Sequence, residues 1–206
     1  MLSADREDML TELVNIGVGR AAYTLSEMVD SHVGLHVPRV SVDGRGASAI
    51  AAGAAGLSAS VVRQGFSGGL SGTASLAISL RSARSLVAAL TRTNSEEMSV
   101  DAEELDAERE AVLTEVGNIV INSILGSLGN MAALDLTFGL PRYEEGVPSA
   151  YRLAEDTAVV AVSVLFQIQT HSIAGELAVV FDASSLDGVC DALLDDSPGA
   201  EDRASP

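Results

Sequence analysis

Two acidic residues and an asparagine near the start of the chain have side chains and a spacing that could support a hydrolytic reaction. Asp8, Glu12 and Asn15 are spaced i, i+4 and i+7, which places them on one face of a helix. Glu115 and Asn118 repeat the carboxylate and the carboxamide at i, i+3. A carboxamide can orient a water molecule for in-line attack, and a carboxylate can pair with a cation on a docking partner. Hydrolysis would still require a metal or an activated substrate supplied from elsewhere.

The whole pattern occurs twice. In each copy 22 residues separate the asparagine from a proline, which is Pro38 in the first copy and Pro141 in the second, and the offset between the copies is 103 residues. A single Glu-x-x-Asn is typical of the solvated face of any amphipathic helix. Asparagine is an indifferent helix former, however, and recurrence of the full pattern at one offset indicates an internal repeat.

Composition narrows the classes of partner. The chain has 206 residues, 47% of them hydrophobic and only 3% aromatic, so an aliphatic core of one domain or of two fused halves is expected. The net charge is −17, and all 12 basic residues are arginine. A surface this acidic argues against binding to nucleic acid or to anionic lipid.

The single cysteine and the N-terminal residues bear on the compartment. Cys190 has no second cysteine to pair with, and its apolar surroundings predict a buried, unreactive thiol. Asp5, Glu7 and Asp8 stand where a secretory signal needs basic residues. No apolar run reads as long and clean enough to span a membrane. We therefore expect a soluble, cytoplasmic protein.

Periodicity predicts the same order of elements in each half: a long helix, a strand, a variable segment, two strands and a short helix. The predicted helices are 6–31, 82–92, 106–132 and 183–194. The predicted strands are 33–42, 58–66, 72–80, 134–138, 157–169 and 173–181. Residues 46–56 are predicted as a short helix or a loop, 142–156 as a loop and 170–172 as a turn. Gly17 and Gly19 weaken the first helix, and we expect them to permit close packing against another element.

The fold class that follows is α+β. Neither half buries its own helix and sheet alone, which favours one continuous antiparallel sheet covered by helices, with a pseudo-two-fold axis relating the halves. We predict a single domain made of two homologous halves, at about 5–93 and 105–194. Residues 195–206 are predicted as a flexible tail.

The doubled motif resembles the signature of the CheC family of chemotaxis phosphatases, within the wider CheC–CheX–FliY group. That signature is Asp or Ser, three residues, Glu, two residues, Asn, 22 residues and Pro. The first copy matches at Asp8, Glu12, Asn15 and Pro38. The second matches at its Glu, Asn and Pro, with Ala111 in place of Asp or Ser. The sequence around both copies, at 15–22, 25–28 and 115–119, also resembles the family's two helices.

The resemblance implies a phosphatase that acts on the phosphorylated response regulator CheY. In that family the asparagine, here Asn15 and Asn118, positions the hydrolytic water in the regulator's active site. The glutamate, here Glu12 and Glu115, contacts the regulator's active-site lysine. The regulator supplies the aspartyl-phosphate and the Mg²⁺, so no cofactor is expected to be bound by this chain. The family also binds CheD, and two sites in one chain favour a monomer.

A non-enzymatic adaptor is the alternative function. Flagellar switch proteins share this fold, so the same architecture could bind CheD or a switch component with the motif residues vestigial. Retention of the Glu and Asn pair in both halves favours the enzyme. The sequence does not identify which CheY paralogue is the substrate, and Ala111 leaves the competence of the second site open.

Two other signals are set aside. The stretch 17–22 matches G-x-G-x-x-A, but a dinucleotide fingerprint must follow a strand and open a helix, whereas this one lies inside a helix. His32, His36 and His171 show no ligand spacing with a cysteine or a carboxylate pair, so no metal site is predicted.

Overall fold

Two long helices carry the motif residues. The computed structural model describes residues 4–43, 59–92, 102–146, 157–168 and 171–182. Within these ranges the helices are α1 (Ala4–Val29), α2 (Leu80–Thr91) and α3 (Ala102–Met131). They match three of the predicted helices to within a few residues. The start of α2 is capped by Ser79, whose side-chain oxygen accepts a hydrogen bond from the backbone N–H of Ser82 at 3.2 Å.

The strands form one antiparallel sheet. They are β1 (Val33–Asp43), β2 (Ala59–Gly68), β3 (Gly72–Ser79), β4 (Leu136–Phe138), β5 (Arg142–Gly146), β6 (Thr157–Ile168) and β7 (His171–Asp182). Their order is β1-β6-β7-β3-β2-β4, with β5 also paired to β2. The prediction of helices combined with one antiparallel sheet is confirmed.

The sheet interleaves the two halves of the chain. The first strand of each half pairs with the second strand of the other half: β1 with β6, and β4 and β5 with β2. The central pair, β3 with β7, also joins the halves. When β4 and β5 are taken as one interrupted strand, the order reads the same from both edges. The proposed duplication itself remains a prediction.

Both motif prolines lie where a strand ladder is interrupted. The register between β1 and β6 shifts between His36 and Arg39, which flank Val37 and Pro38. In the second half, residues 139–141 separate β4 from β5 and include Pro141. Proline cannot donate a ladder hydrogen bond, so it fits a bulge or a break.

An aliphatic core joins the helices to the sheet. Helices α1 and α3 pack against each other, and both contact strands. The fully buried side chains are mostly leucine, isoleucine and valine, with Phe166 the largest of them. The core is therefore aliphatic, as the low aromatic content of the sequence predicts.

The prediction of a loop over 142–156 is wrong for its first five residues, which form β5. Tyr143 packs against the core, and its hydroxyl donates a 2.5 Å hydrogen bond to Glu145 Oε1. Arg109 of α3, which is 8% exposed, donates to the same oxygen at 2.6 Å. Burial, followed by the bond to Glu145, raises the pKa of Tyr143. The contact between Arg109 and Glu145 joins residues far apart in sequence, so local periodicity could not indicate this strand.

The predicted turn over 170–172 is also wrong in part, because His171 and Ser172 begin β7 and pair with β6. The strand predicted over 134–138 is shorter than expected and starts at Leu136. Several predictions lie outside the described residues: the segment 46–56, the closing helix 183–194 with Cys190, and the tail 195–206.

One helical segment bears on the membrane prediction. Residues Ala107–Met131 are long and apolar enough to cross a membrane by length and composition, with a mean hydropathy of 1.4, whereas the sequence was expected to contain no such segment. Half of this apolar segment is buried inside the structure. A buried core helix of a soluble protein has the same length and composition.

A half-buried carboxylate on β7 makes stability depend on pH. Burial raises the pKa of Glu176, and its Oε1 is buried with no hydrogen-bond partner among the described residues. A pKa raised in the folded state means that folding favours the protonated form. The contribution of Glu176 to stability is therefore fully present below the pKa that this residue has in the unfolded chain. It is lost as the pH rises through the pKa of Glu176 in the folded protein.

Replacing Glu176 with Gln should therefore raise the melting temperature at pH 8 and leave it nearly unchanged at pH 4. Calorimetry across that range tests this expectation. Glu144→Gln is the control, since Glu144 is exposed and salt-bridged to Arg63 at 2.7 Å. A melting temperature for Glu176→Gln that follows the wild-type pH dependence would contradict the assignment.

Candidate functional site

Helix α1 presents its motif residues to solvent. Asp8, Glu12 and Asn15 are all exposed, while Leu10 and Leu13 on the opposite side are 3% and 2% exposed. The apolar side chains hold the helix on the core, so the polar face points outward as the spacing predicts. The first carboxylate and carboxamide are therefore accessible to a partner.

Helix α3 presents a second pair. Glu115 is exposed and Asn118 is partly buried, while Val116 between them is completely buried. Ala111 is exposed one turn before Glu115, where α1 carries Asp8. The prediction that each helix offers an accessible Glu and Asn on one face agrees with this placement.

Glycines bring the helices close to their neighbours beside each asparagine. A Cβ at Gly17 would lie 2.5 Å from the Cα of Ile124, and a Cβ at Gly117 would lie 2.4 Å from Cγ1 of Val62. Close packing therefore requires glycine at both positions. The same expectation is wrong for Gly19, where an added Cβ meets nothing within 4 Å.

A set of amide hydrogen bonds surrounds Asn118. Its Oδ1 accepts from Nδ2 of Asn122 at 2.9 Å and from Nε2 of Gln64 at 3.2 Å. The Gln64 amide nitrogen also donates to the carbonyl oxygen of Gly139 at 2.9 Å. Because a backbone carbonyl only accepts, this last bond fixes which end of the Gln64 amide faces Asn118. The amide nitrogen of Asn118 remains without a partner among the described residues.

Gln64 is an unusual residue for its position. It is 2% exposed in the middle of β2, and its Oε1 is buried with no hydrogen-bond partner among the described residues. Leaving a buried acceptor unsatisfied costs about 1–3 kcal/mol. Sequence reasoning missed Gln64, although its place midway between Val62 and Phe66 in the alternation of the strand, where an apolar residue is expected, is a signal that could have marked it.

The first site lacks this support. The side chain of Asn15 is exposed and makes no hydrogen bond to any residue that the structure describes. One turn later α1 has Gly19, whereas α3 has Asn122 at the matching offset of 103 residues. The two carboxamides are therefore accessible in both helices but held in place in only one.

The segment before Pro141 links the motif proline to the second site. The backbone N–H of Gly139 donates to the carbonyl of Gly65 at 2.9 Å, which ties the strand break to β2. Leu140 beside it is 88% exposed. Pro38 lies at the register shift of β1, the corresponding break in the first half.

The described residues contain no cluster of three or more histidine, cysteine or acidic side chains that could hold a metal ion. The two sites therefore consist of carboxylates, carboxamides and backbone. Such groups can bind a cation on a partner and can orient water.

No family model matches the sequence, and no curated protein matches it. Solved structures do. FliY of Thermotoga maritima is 20% identical, with a TM-score of 0.70 over 95% of this chain and 98% of that chain. The chain has the fold of the CheC–CheX–FliY group. The expected resemblance to that group is thus confirmed at the level of the fold.

Two other solved structures share the CheC–CheX–FliY fold. FliM in the FliM–SpeE complex of H. pylori is 12% identical, with a TM-score of 0.66 over 97% of this chain and all of that chain. CheX of Borrelia burgdorferi, in a complex with CheY, BeF3 and Mg²⁺, is 16% identical, with a TM-score of 0.56 over 82% and 97% of the two chains.

Proposed function

We propose that this chain is a chemotaxis phosphatase that hydrolyses the aspartyl-phosphate of the response regulator CheY. The observation that carries the proposal is the presence of an accessible Glu and Asn on one face of each long helix, at Glu12 and Asn15 and at Glu115 and Asn118. The fold that presents them is also that of the CheX chain in the CheX–CheY complex. Two copies of the same pair suit two docking sites for one kind of regulator.

The chemistry divides between the two proteins. Each asparagine orients the water that attacks the phosphoryl group, and each glutamate pairs with the regulator's active-site lysine. The regulator supplies the aspartyl-phosphate and holds the Mg²⁺ that neutralises the phosphoryl oxygens. This chain then contributes positioning and hydrogen bonding, which is what its carboxylates and carboxamides are able to do.

The proposal includes a duplicated architecture, with halves at about 5–93 and 105–194. The symmetric strand order supports it, as does the interruption at Pro38 and at Pro141 in corresponding strands. With two sites in one chain a monomer is sufficient for activity. We further propose a cytoplasmic protein, in keeping with its partner and its net charge of −17, and CheD as a second partner.

The alternative is a non-enzymatic adaptor for CheD or a flagellar switch component. The likeness to FliM, which was solved in a complex with SpeE, favours this reading. An adaptor, however, has no need for an accessible Glu and Asn in both halves. The phosphatase explains those four residues and is therefore preferred.

The glutamates provide a test of the docking geometry. The double replacement Glu12→Gln and Glu115→Gln should raise KM for phosphorylated CheY about tenfold, because a hydrogen bond to a charged group contributes ~1.5–3 kcal/mol. The turnover number should change little, since that contact is made before and during the reaction. Steady-state dephosphorylation at varied CheY concentration measures both constants.

Glu110→Gln is the matched control for charge. Glu110 is exposed on α3 but lies five residues before Glu115, on a different side of the helix. It should leave KM unchanged. An equal rise in KM for the control would show a general charge effect and would contradict a specific contact at Glu12 and Glu115.

A further inference from the structure

Gln64 occupies a place where packing does not require a glutamine. Strand β6 lies between β1 and β7 as β2 lies between β3 and the β4–β5 edge. When the buried Phe66 of β2 is matched with the buried Phe166 of β6, Gln64 corresponds to Val164. The side chain of Val164 is 1% exposed. An apolar side chain thus serves the same structural place in the other half.

The hydrogen bonds of the Gln64 side chain hold it against the carboxamide of Asn118. Its amide nitrogen is held by the Gly139 carbonyl at 2.9 Å and bonds Oδ1 of Asn118 at 3.2 Å. Asn122 supplies a second donor to that oxygen at 2.9 Å. With both lone pairs of Oδ1 occupied, the Asn118 amide has one orientation, and its N–H₂ group is the part left for a ligand.

We infer that Gln64 is a positioning residue that pre-orients the carboxamide of Asn118 for the phosphoryl-transfer site. This inference rests on the proposed phosphatase function and adds a residue to its second site. The buried, unpaired Oε1 of Gln64 is the structural cost of retaining that orientation. Asn15 has no such support, because Gly19 and Val164 stand where Asn122 and Gln64 stand in the second half. The second site is therefore the more preorganised one, even though it has Ala111 in place of an acidic residue.

The test uses Gln64→Met, which keeps the length of the side chain and removes its hydrogen bonds. It is made in an Asn15→Ala background, so that only the second site contributes. We expect the turnover number for phosphorylated CheY to fall about tenfold through loss of orientation, with KM unchanged. The melting temperature should stay the same or rise, because the unpaired buried oxygen is removed.

The control is Gln167→Met, the same substitution at an exposed position of β6, which should leave turnover unchanged. A turnover number that Gln64→Met does not lower would overturn the inference. A fall in the turnover number accompanied by a lower melting temperature would also overturn it, since that result indicates a structural role. If Gln167→Met lowers turnover as much, the effect is not specific to Gln64 and the inference also fails.

A second readout does not depend on activity. Nitrogen-15 relaxation of the side-chain amides in the free protein should show Asn118 more ordered than Asn15, with Gln64→Met lowering Asn118 to the level of Asn15. This arm tests the positioning role even if the protein has no phosphatase activity, so failure of the function and failure of the inference are separable. Equal disorder of the two amides in the wild type would overturn the inference.

Discussion

Replacing both Asn15 and Asn118 with Ala is expected to reduce phosphatase activity toward phosphorylated CheY about 100-fold, because loss of a positioned reacting water carries a penalty of that order. Each single variant should retain the activity of the remaining site. Since Asn118 is held by two hydrogen bonds and Asn15 by none among the described residues, Asn118→Ala should cause the larger loss.

The helices should tolerate these changes, because alanine is a better helix former than asparagine. Asn130→Ala is the matched control, since Asn130 is exposed on α3 beyond the motif, and it should behave as the wild type. Decay of phosphorylated CheY at a catalytic amount of each variant measures the effect. Full activity in the double variant would remove both asparagines from the mechanism.

Replacing Gly17 with Ala should lower the free energy of unfolding by about 3 kcal/mol, the upper end of the usual cost of overpacking. The added Cβ would lie 2.5 Å from the Cα of Ile124 and 2.9 Å from the carbonyl oxygen of Ser123. Both are backbone atoms of α3, so no change of rotamer relieves the contact. The two long helices must therefore separate. Asn15 lies two residues before Gly17 and Asn118 lies six residues before Ile124, so both carboxamides are close to this contact in sequence.

Gly19→Ala is the matched control on the same helix. An added Cβ there meets nothing within 4 Å, so the substitution should stabilise the protein by about 1 kcal/mol through helix propensity. Urea unfolding of the two variants therefore gives opposite signs. Destabilisation of equal size at both positions would show that the packing of α1 on α3 differs from the structure.

The helices and the motif face could be read from the sequence because both depend on local spacing. Residues 8, 12 and 15 lie on one helix face whatever the rest of the chain does, and apolar residues three and four apart determine which face is buried. The same reasoning gives the paired strands β2 and β3, which are neighbours in the chain.

The long-range contacts could not be read in this way. Strand β5 forms because Tyr143 and Glu145 meet Ser60 and Arg109, residues far away in sequence. The role of Gln64 depends on α3 lying over β2, which no pattern within either element indicates. The exchange of first strands between the halves likewise follows from pairing across the whole chain.

The central claim is tested most directly by the lifetime of phosphorylated CheY from the same organism, measured with one molecule of this protein for every twenty of the regulator. The account predicts faster phosphate loss that continues over many turnovers, which an adaptor does not produce. An unchanged lifetime, with CheD present and with CheD absent, would contradict the phosphatase and would favour the adaptor.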